Sequence, residues 1–411
     1  MATQPASDPS LSLYRLLDPA VLADPYPLYA RLREEDPVHW DPFLHCWVVT
    51  RYEDVHRVLH LFSADRTPTP EQLRALGIGE VEPIAEVLVK QMLFLDPPRH
   101  TQLRKLCSTA FTPRRVERLE AQVQAIADRL IDRVLASGRM DVIADFAAPY
   151  PAIVFAALLG VPEEDHARLK AWSADFAEML GNFQHNIDRV ARVLRSTAEM
   201  TEYFRRAIHE EDRPLPDGLL KSLVEAEVDG EHLSEDEVIA NAIVTMVGGQ
   251  ETTTNLIGSG LLTLLRRPDK LAELRDRPEI MESAVEELLR YESPSQHTGR
   301  ICPEDTMLGG RLIRKGAAVM AVMAAGNRDP ERFADPDELD FARKDNRHLA
   351  FGWAAHFCFG APLARMEARI AFRALLDRLP GLRLDAEQLH WRENLGLRGL
   401  KALPVRFDGH E

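Results

Sequence analysis

The chain has 411 residues, 45% of them hydrophobic and 28% charged, the balance of an ordinary soluble globular protein. Its net charge of −15 argues against nucleic acid and anionic membrane as main partners. Four scattered cysteines, Cys46, Cys107, Cys302 and Cys358, show no disulfide framework and fit a reducing cytosol.

Residues 1–23 read as a loosely ordered N-terminal segment. Met1 to Ser10 has neither a basic nor an apolar signal region, so a cytoplasmic location is expected. Cys46-Trp47-Val48-Val49-Thr50 reads as a strand. After Asp96-Pro97-Pro98, His100 and Arg104 share one helical face, which by itself describes any solvated pair. Leu119, Val123, Ile126, Leu130, Ile131 and Val134 recur at helical spacing and give an amphipathic face. Phe146 to Val161 is the most apolar stretch. Pro149 and Pro151 interrupt it, and it is shorter than the about 20 residues that cross a bilayer, so a buried core segment is expected and no membrane anchor. Gly181 to Asp188, set between two helical runs, reads as a mobile lid. Pro214-Leu215-Pro216 marks a short loop.

Ser234-Glu235-Asp236-Glu237 is a capping-box signature that opens a helix continuing to Leu265. Its middle, Val247-Gly248-Gly249-Gln250-Glu251-Thr252-Thr253-Thr254, is a weak point. Each interior glycine costs about 1 kcal/mol relative to alanine. A glutamate in an apolar helix costs more unless paired or hydrated. The plain packing explanation is that the glycines admit close neighbours and the hydroxyls bond back to carbonyls one turn earlier. The functional one is a local opening that makes room for a small molecule beside polar groups.

Farther on, Glu287 and Arg290 stand three apart, so carboxylate and guanidinium share a helical face. Ala317 to Met323 and Leu403 to Phe407 read as strands. Between them lies Phe351-Gly352-Trp353-Ala354-Ala355-His356-Phe357-Cys358-Phe359-Gly360, with one thiol and no second cysteine nearby. Zinc and iron–sulfur sites need several close ligands, whereas one thiolate suffices as the axial ligand of a haem iron. Taken alone, a lone cysteine is a small buried hydrophobe. Gly352 and Gly360 flank this one, however, and a helix with Pro362 near its start follows, an arrangement that favours ionised sulfur.

This loop resembles the haem-binding loop of the bacterial cytochrome P450 family, Phe-Gly-x-Gly-x-His-x-Cys-x-Gly. Ala354 departs from the pattern, standing where the second glycine usually is. At positive φ, alanine adds strain of roughly 1–2 kcal/mol. Gly248, Gly249, Glu251, Thr252 and Thr253 are similar to the family's oxygen-binding motif, (Ala/Gly)-Gly-x-(Asp/Glu)-Thr-(Thr/Ser). The resemblance runs from about Asp24 to Phe407.

The resemblance implies a mainly α fold with a minor β region, in one domain over residues 1–411. The implied cofactor is haem b, iron protoporphyrin IX, with Cys358 on the metal and Phe351, Gly352, Gly360 and Gly248 around it. His100, Arg104, Arg300 and His356 are the implied propionate donors; His348 either joins them or merely caps backbone. Thr252 would hydrogen-bond dioxygen and Glu251 would relay protons. Glu287, Arg290 and Arg343 would form a buried network that holds fold and cofactor. By position, Met92, Leu93, Val244, Val247, Gly248, Gln296, His297, Leu397 and Leu400 would line the substrate pocket.

The implied activity is monooxygenation of a lipophilic small molecule in secondary metabolism. Electrons would come from a ferredoxin or flavodoxin with its reductase, docked on Lys105, Arg114, Arg115, Lys344, Arg347, Arg365 and Arg369, and the enzyme would be a monomer. A peroxide-driven peroxygenase or a non-redox isomerase is the alternative; such relatives usually lack the acid–alcohol pair present here.

Overall fold

Ser234 starts the element around which the others are laid. Its hydroxyl accepts the Glu237 N–H, and the Glu237 carboxylate accepts the Ser234 N–H. The helix then runs unbroken from Glu235 to Leu265, 31 residues, or about 46 Å at 1.5 Å per residue. The helices Pro149–Leu159, His166–Gly181, Ile187–His209, Met281–Tyr291 and Ala361–Arg378 pack against it, so almost all of it beyond the first turn is buried. The computed structural model describes residues 8–408 apart from 69, 76, 182–186, 211–214 and 229. The core of the lid expected at Gly181 to Asp188, and the start of the Pro214-Leu215-Pro216 loop, lie outside the described residues.

Helix accounts for 59% and strand for 10%, a mainly α architecture with a minor β region. The larger sheet has the order Val38–Asp41, Cys46–Val49, Ala318–Ala321, Thr298–Ile301. Trp40 pairs with Trp47 across the antiparallel hairpin, Val48 lies beside Met320 in the parallel pair, and Arg300 pairs with Val319 at the edge. A second sheet joins Arg383–Leu384, Pro404–Arg406 and Arg139–Asp141, tying the end of the chain to its middle.

Two features of the N-terminal half bear on the sequence reading. Residues 9–23 are not loosely ordered. Leu11, Leu13, Leu16 and Leu22 are buried in the main core, and Asp41 accepts the Ser12 hydroxyl at 2.9 Å and the Leu13 N–H at 2.9 Å. Each such leucine is worth roughly 1.5–3 kcal/mol of burial, enough to hold the segment against the core. The apolar stretch Val142–Leu159 is long and apolar enough to cross a membrane by composition, but 72% of it is buried inside the fold. Pro149 stands in the first turn of its helix and Gly160, at φ +78°, ends it.

Candidate active site

Cys358 is held by its own loop. Its N–H donates to the Phe351 carbonyl at 2.7 Å, Gly352 turns the chain at φ +69°, and Ala354 turns it again at φ +54°. The strain anticipated for alanine at this position is therefore built in. Ala354→Gly is expected to stabilise the protein by about 0.5–1 kcal/mol, the strain relieved less the backbone freedom that glycine loses. The check is a higher urea midpoint at unchanged denaturant slope.

Burial pushes the Cys358 thiol up, and the Gly360 N–H, Arg104, Arg365 and the Ala361 N–H pull it down without prevailing. The helix start favours ionised sulfur, as expected, but does not outweigh burial; a bound metal ion would, since a coordinating thiol gives up its proton. Arg104 donates to the Phe357 carbonyl at 2.7 Å. Arg365 forks onto Glu286 at 2.7 and 2.8 Å and covers the Phe351 ring at 4.6 Å.

Cys358 opens into a cavity of about 340 Å³. One edge of that cavity is cationic, lined by Arg66, His100, Arg104, Arg300 and His356. The His100 and His356 rings lie 4.2 Å apart. Both ring nitrogens of His100, Nε2 of His356 and Nε of Arg300 are buried without a hydrogen-bond partner among the described residues. Burial, with His100 and Arg300 nearby, lowers His356 to about 3, and burial lowers His100 as well. His348 does not reach this edge: its Nδ1 accepts the Ala350 N–H at 3.2 Å and its Nε2 lies 3.3 Å from Glu286.

The wall of the cavity also carries Met92, Leu93, Val244, Thr245, Val247, Gly248, His297 and Leu397. Asn241, one turn before Thr245, fixes the Met92 side of this wall by accepting the Met92 N–H and donating to the Lys90 carbonyl, each at 3.0 Å. Gln296 and Leu400, expected on this wall, are not there. Ser295 and His297 both face the cavity, so the extended chain turns Gln296 to the other side, where Tyr29 donates to its Oε1 at 3.0 Å. Leu400 lies opposite Trp391, past the point where the chain leaves the cavity at Leu397. Burial holds His297 at about 4, a neutral ring in an apolar wall.

The weak point of the central helix divides residue by residue. No backbone opening is present; the helix is continuous there. A Cβ on Gly249 would sit 1.9 Å from the Phe155 ring, so this glycine serves packing, whereas a Cβ on Gly248 would meet nothing within 4 Å. The room comes from that missing side chain. Thr252 lines the cavity and donates back to the Gly248 carbonyl at 2.5 Å. Glu251 points away from the cavity, 1% exposed, between Lys170 and Arg392. Burial raises its carboxyl and the two cations more than reverse that, leaving it below the usual range.

Glu367 was missed by the sequence reading. It is fully buried, lines the cavity, and accepts the Thr253 hydroxyl at 3.4 Å, while its Oε1 has no partner among the described residues. Its helical spacing from Leu363, Ile370 and Ala371 marks it as an acid on a buried face. Burial raises its carboxyl well above the ordinary value. Such a group favours folding fully below its unfolded pKa and progressively less as pH rises toward its folded pKa, by up to about 1.4 kcal/mol per pH unit. The melting temperature of Glu367→Gln relative to the parent is accordingly expected to climb between pH 5 and pH 7; a constant offset would contradict the neutral acid.

The sequence matches the Cytochrome P450 family over residues 48–380, and along 98% of its length it is 42% identical to the cytochrome P450 monooxygenase PikC of Streptomyces venezuelae, covering 95% of that protein. The chain belongs to the cytochrome P450 family. It is a haem-thiolate monooxygenase. Nocardicin C N-oxygenase of Nocardia uniformis subsp. tsuyamanensis is 40% identical over 96% of this P450 and 98% of its own length. The solved structure of P450BioI in complex with hexadec-9Z-enoic acid ligated acyl carrier protein superimposes with a TM-score of 0.89 at 36% identity, covering 95% of this chain and 99% of that one.

Haem is the cofactor of this family, and the residues of the P450 cavity fit it. A thiol stands on one side, and a dianionic edge would satisfy the buried donors of His100, Arg300 and His356. Beneath, Glu287 gathers a network: Arg290 forks onto it at 2.7 and 2.8 Å, and Arg343 lies 3.2 Å from each oxygen.

Proposed function

We propose that this P450 works as one cytoplasmic domain over residues 1–411, as a monomer, and inserts one oxygen atom of O2 into a lipophilic secondary metabolite. The observation that carries this reading is that Cys358, Gly248 and Thr252 border a single cavity whose remaining wall is mostly apolar. Cys358 would bind the iron, in a loop shaped by Phe351, Gly352 and Gly360, and His100, Arg104, Arg300 and His356 would hold the propionates. When bound, the haem supplies the redox chemistry of oxygen activation.

The chain supplies position and protons. Met92, Leu93, Val244, Val247 and Leu397 strip water from the substrate, and the neutral His297 offers one directional hydrogen bond. The Thr252 hydroxyl turns from the Gly248 carbonyl to donate into the cavity, and Glu251, once free of Lys170 and Arg392, restores that proton from solvent. Relatives named for polyketide biosynthesis and nocardicin oxidation support a secondary metabolite as substrate. The exposed Lys105, Arg114 and Lys344 suit an acidic ferredoxin or flavodoxin, supplied by its reductase, and Arg347, forked onto Asp345, adds less. Arg365 and Arg369, paired to Glu286 and Glu120, add less.

Carbon monoxide added to the reduced protein should give the red-shifted absorption of thiolate-ligated haem. An absorption typical of imidazole ligation, or a purified protein that takes up no porphyrin, would overturn the assignment. A ligand-induced spin-state screen across terpenoids, macrolides, fatty acids and steroids would then identify the substrate class.

A further inference from the structure

Arg66 lines the cationic edge of the cavity and has no part in the roles assigned above. Its stem is fixed from below. Ser63 exchanges backbone hydrogen bonds with Ile301 at 2.9 Å each, and Asp96 accepts both the Ala64 N–H, at 2.9 Å, and the Ser63 hydroxyl. The guanidinium lies 4.5 Å from the Phe94 ring centroid and donates through Nη1 to the Ala64 carbonyl at 3.0 Å. Gly299 clears its path, since a Cβ there would come within 3.2 Å of Arg66 Cδ.

Among the described residues no carboxylate pairs with Arg66. Its charged neighbour is a second cation, Arg300, which with burial holds Arg66 at about 9 and is itself held by burial at about 10. Two guanidinium groups lining one cavity, Arg300 buried and Arg66 half-buried, repel each other unless an anion lies between them. Arg66, Arg104 and Arg300 are the guanidinium groups of this edge. Arg104 already gives one donor to the Phe357 carbonyl.

We propose that Arg66 and Arg300 together clamp one haem propionate, making Arg66 a fifth residue of the carboxylate cradle. This rests on haem occupying the cavity, which the Soret band of the parent protein checks separately in the same experiment. The test compares holoenzyme carrying Arg66→Leu, which keeps bulk and loses charge, with Arg66→Lys, which keeps charge and loses the fork. Resonance Raman reads the propionate bending band, and transfer to excess apomyoglobin reads haem release. In Arg66→Leu the band should move to lower frequency and release should quicken about tenfold, as for loss of a charge-assisted bond; Arg66→Lys should fall between.

An unmoved band in both variants overturns the proposal. With faster haem release it would mean that Arg66 only packs. With unchanged release, and a spin-state response lost to long-chain carboxylates but kept for the matching alcohols, it would mean that Arg66 reads a substrate acid.

Discussion

Glu287→Ala is expected to destabilise the protein by about 3–5 kcal/mol and to leave it with little haem. Glu287 and Arg290 are both 0% exposed. The carboxylate accepts five groups: Arg290 through Nε and Nη2, Arg343 through Nε, the Asp340 N–H at 2.9 Å and Asn346 Nδ2 at 3.1 Å. The other Arg290 contacts are to the carbonyls of Asn327, Pro336 and Glu338. Truncation would strand a guanidinium in a dry interior, where an unmatched charge is far more costly than a lost surface pair. It would also cut loose residues 334–346, the segment that leads into the Cys358 loop. Against a total stability of about 5–15 kcal/mol, such a loss is large. Urea unfolding and haem content per chain measure it; a drop below about 1 kcal/mol with full haem content would show that the network is dispensable.

What the sequence discloses here is what local chemistry decides. The cap at Ser234 and the 3.6-residue period fix the central helix to within a residue, because both signals lie inside the element. The strand at 46–49 is legible from its Trp-Val-Val run, and those at 318–321 and 404–406 from short apolar runs around a valine. Val38–Asp41 and Thr298–Ile301 are not, since partners rather than composition make them strands.

The same division runs through the cavity. Val244, Val247 and Gly248 share one face of a helix, so spacing alone places them together, and the same spacing would have exposed Thr245. Gln296 and Leu400 sit on extended chain, where a neighbour's orientation reverses at each step. Gly248 and Gly249 are adjacent and identical, yet only Phe155, nearly a hundred positions away in the chain, distinguishes the open one from the packed one. Arg66 and Glu367 escaped notice for a related reason: their meaning depends on the absence of a partner charge, and a sequence does not display that.

Glu251 shows the limit most sharply, and its replacement is expected to have the larger effect on catalysis. The sequence makes it a proton relay that must be paired or hydrated without naming its partners; Lys170 and Arg392 are 81 and 141 positions away and enclose it. A carboxylate held by two cations binds a proton poorly, so each proton it relays requires loosening from at least one of them. Lys170 belongs to the helix His166–Gly181, and Arg392 belongs to the segment that reaches the cavity at Gly396 and Leu397. Glu251→Gln, which keeps an acceptor for Lys170 but holds no proton, is expected to lower turnover about a hundredfold, the low end of general acid–base catalysis. Substrate affinity, read as the spin-state titration, should stay unchanged because Glu251 lies off the cavity. Lys170→Met should act differently. With one cation gone the carboxyl moves up toward its ordinary value, so the protonated form persists to higher pH and the descending limb of the pH–rate profile shifts upward. Glu251→Gln should flatten that limb. If Glu251→Gln turns over at the parental rate with full coupling of electrons to product, protons reach the cavity by another path and the triad is only a tie between helix and loop.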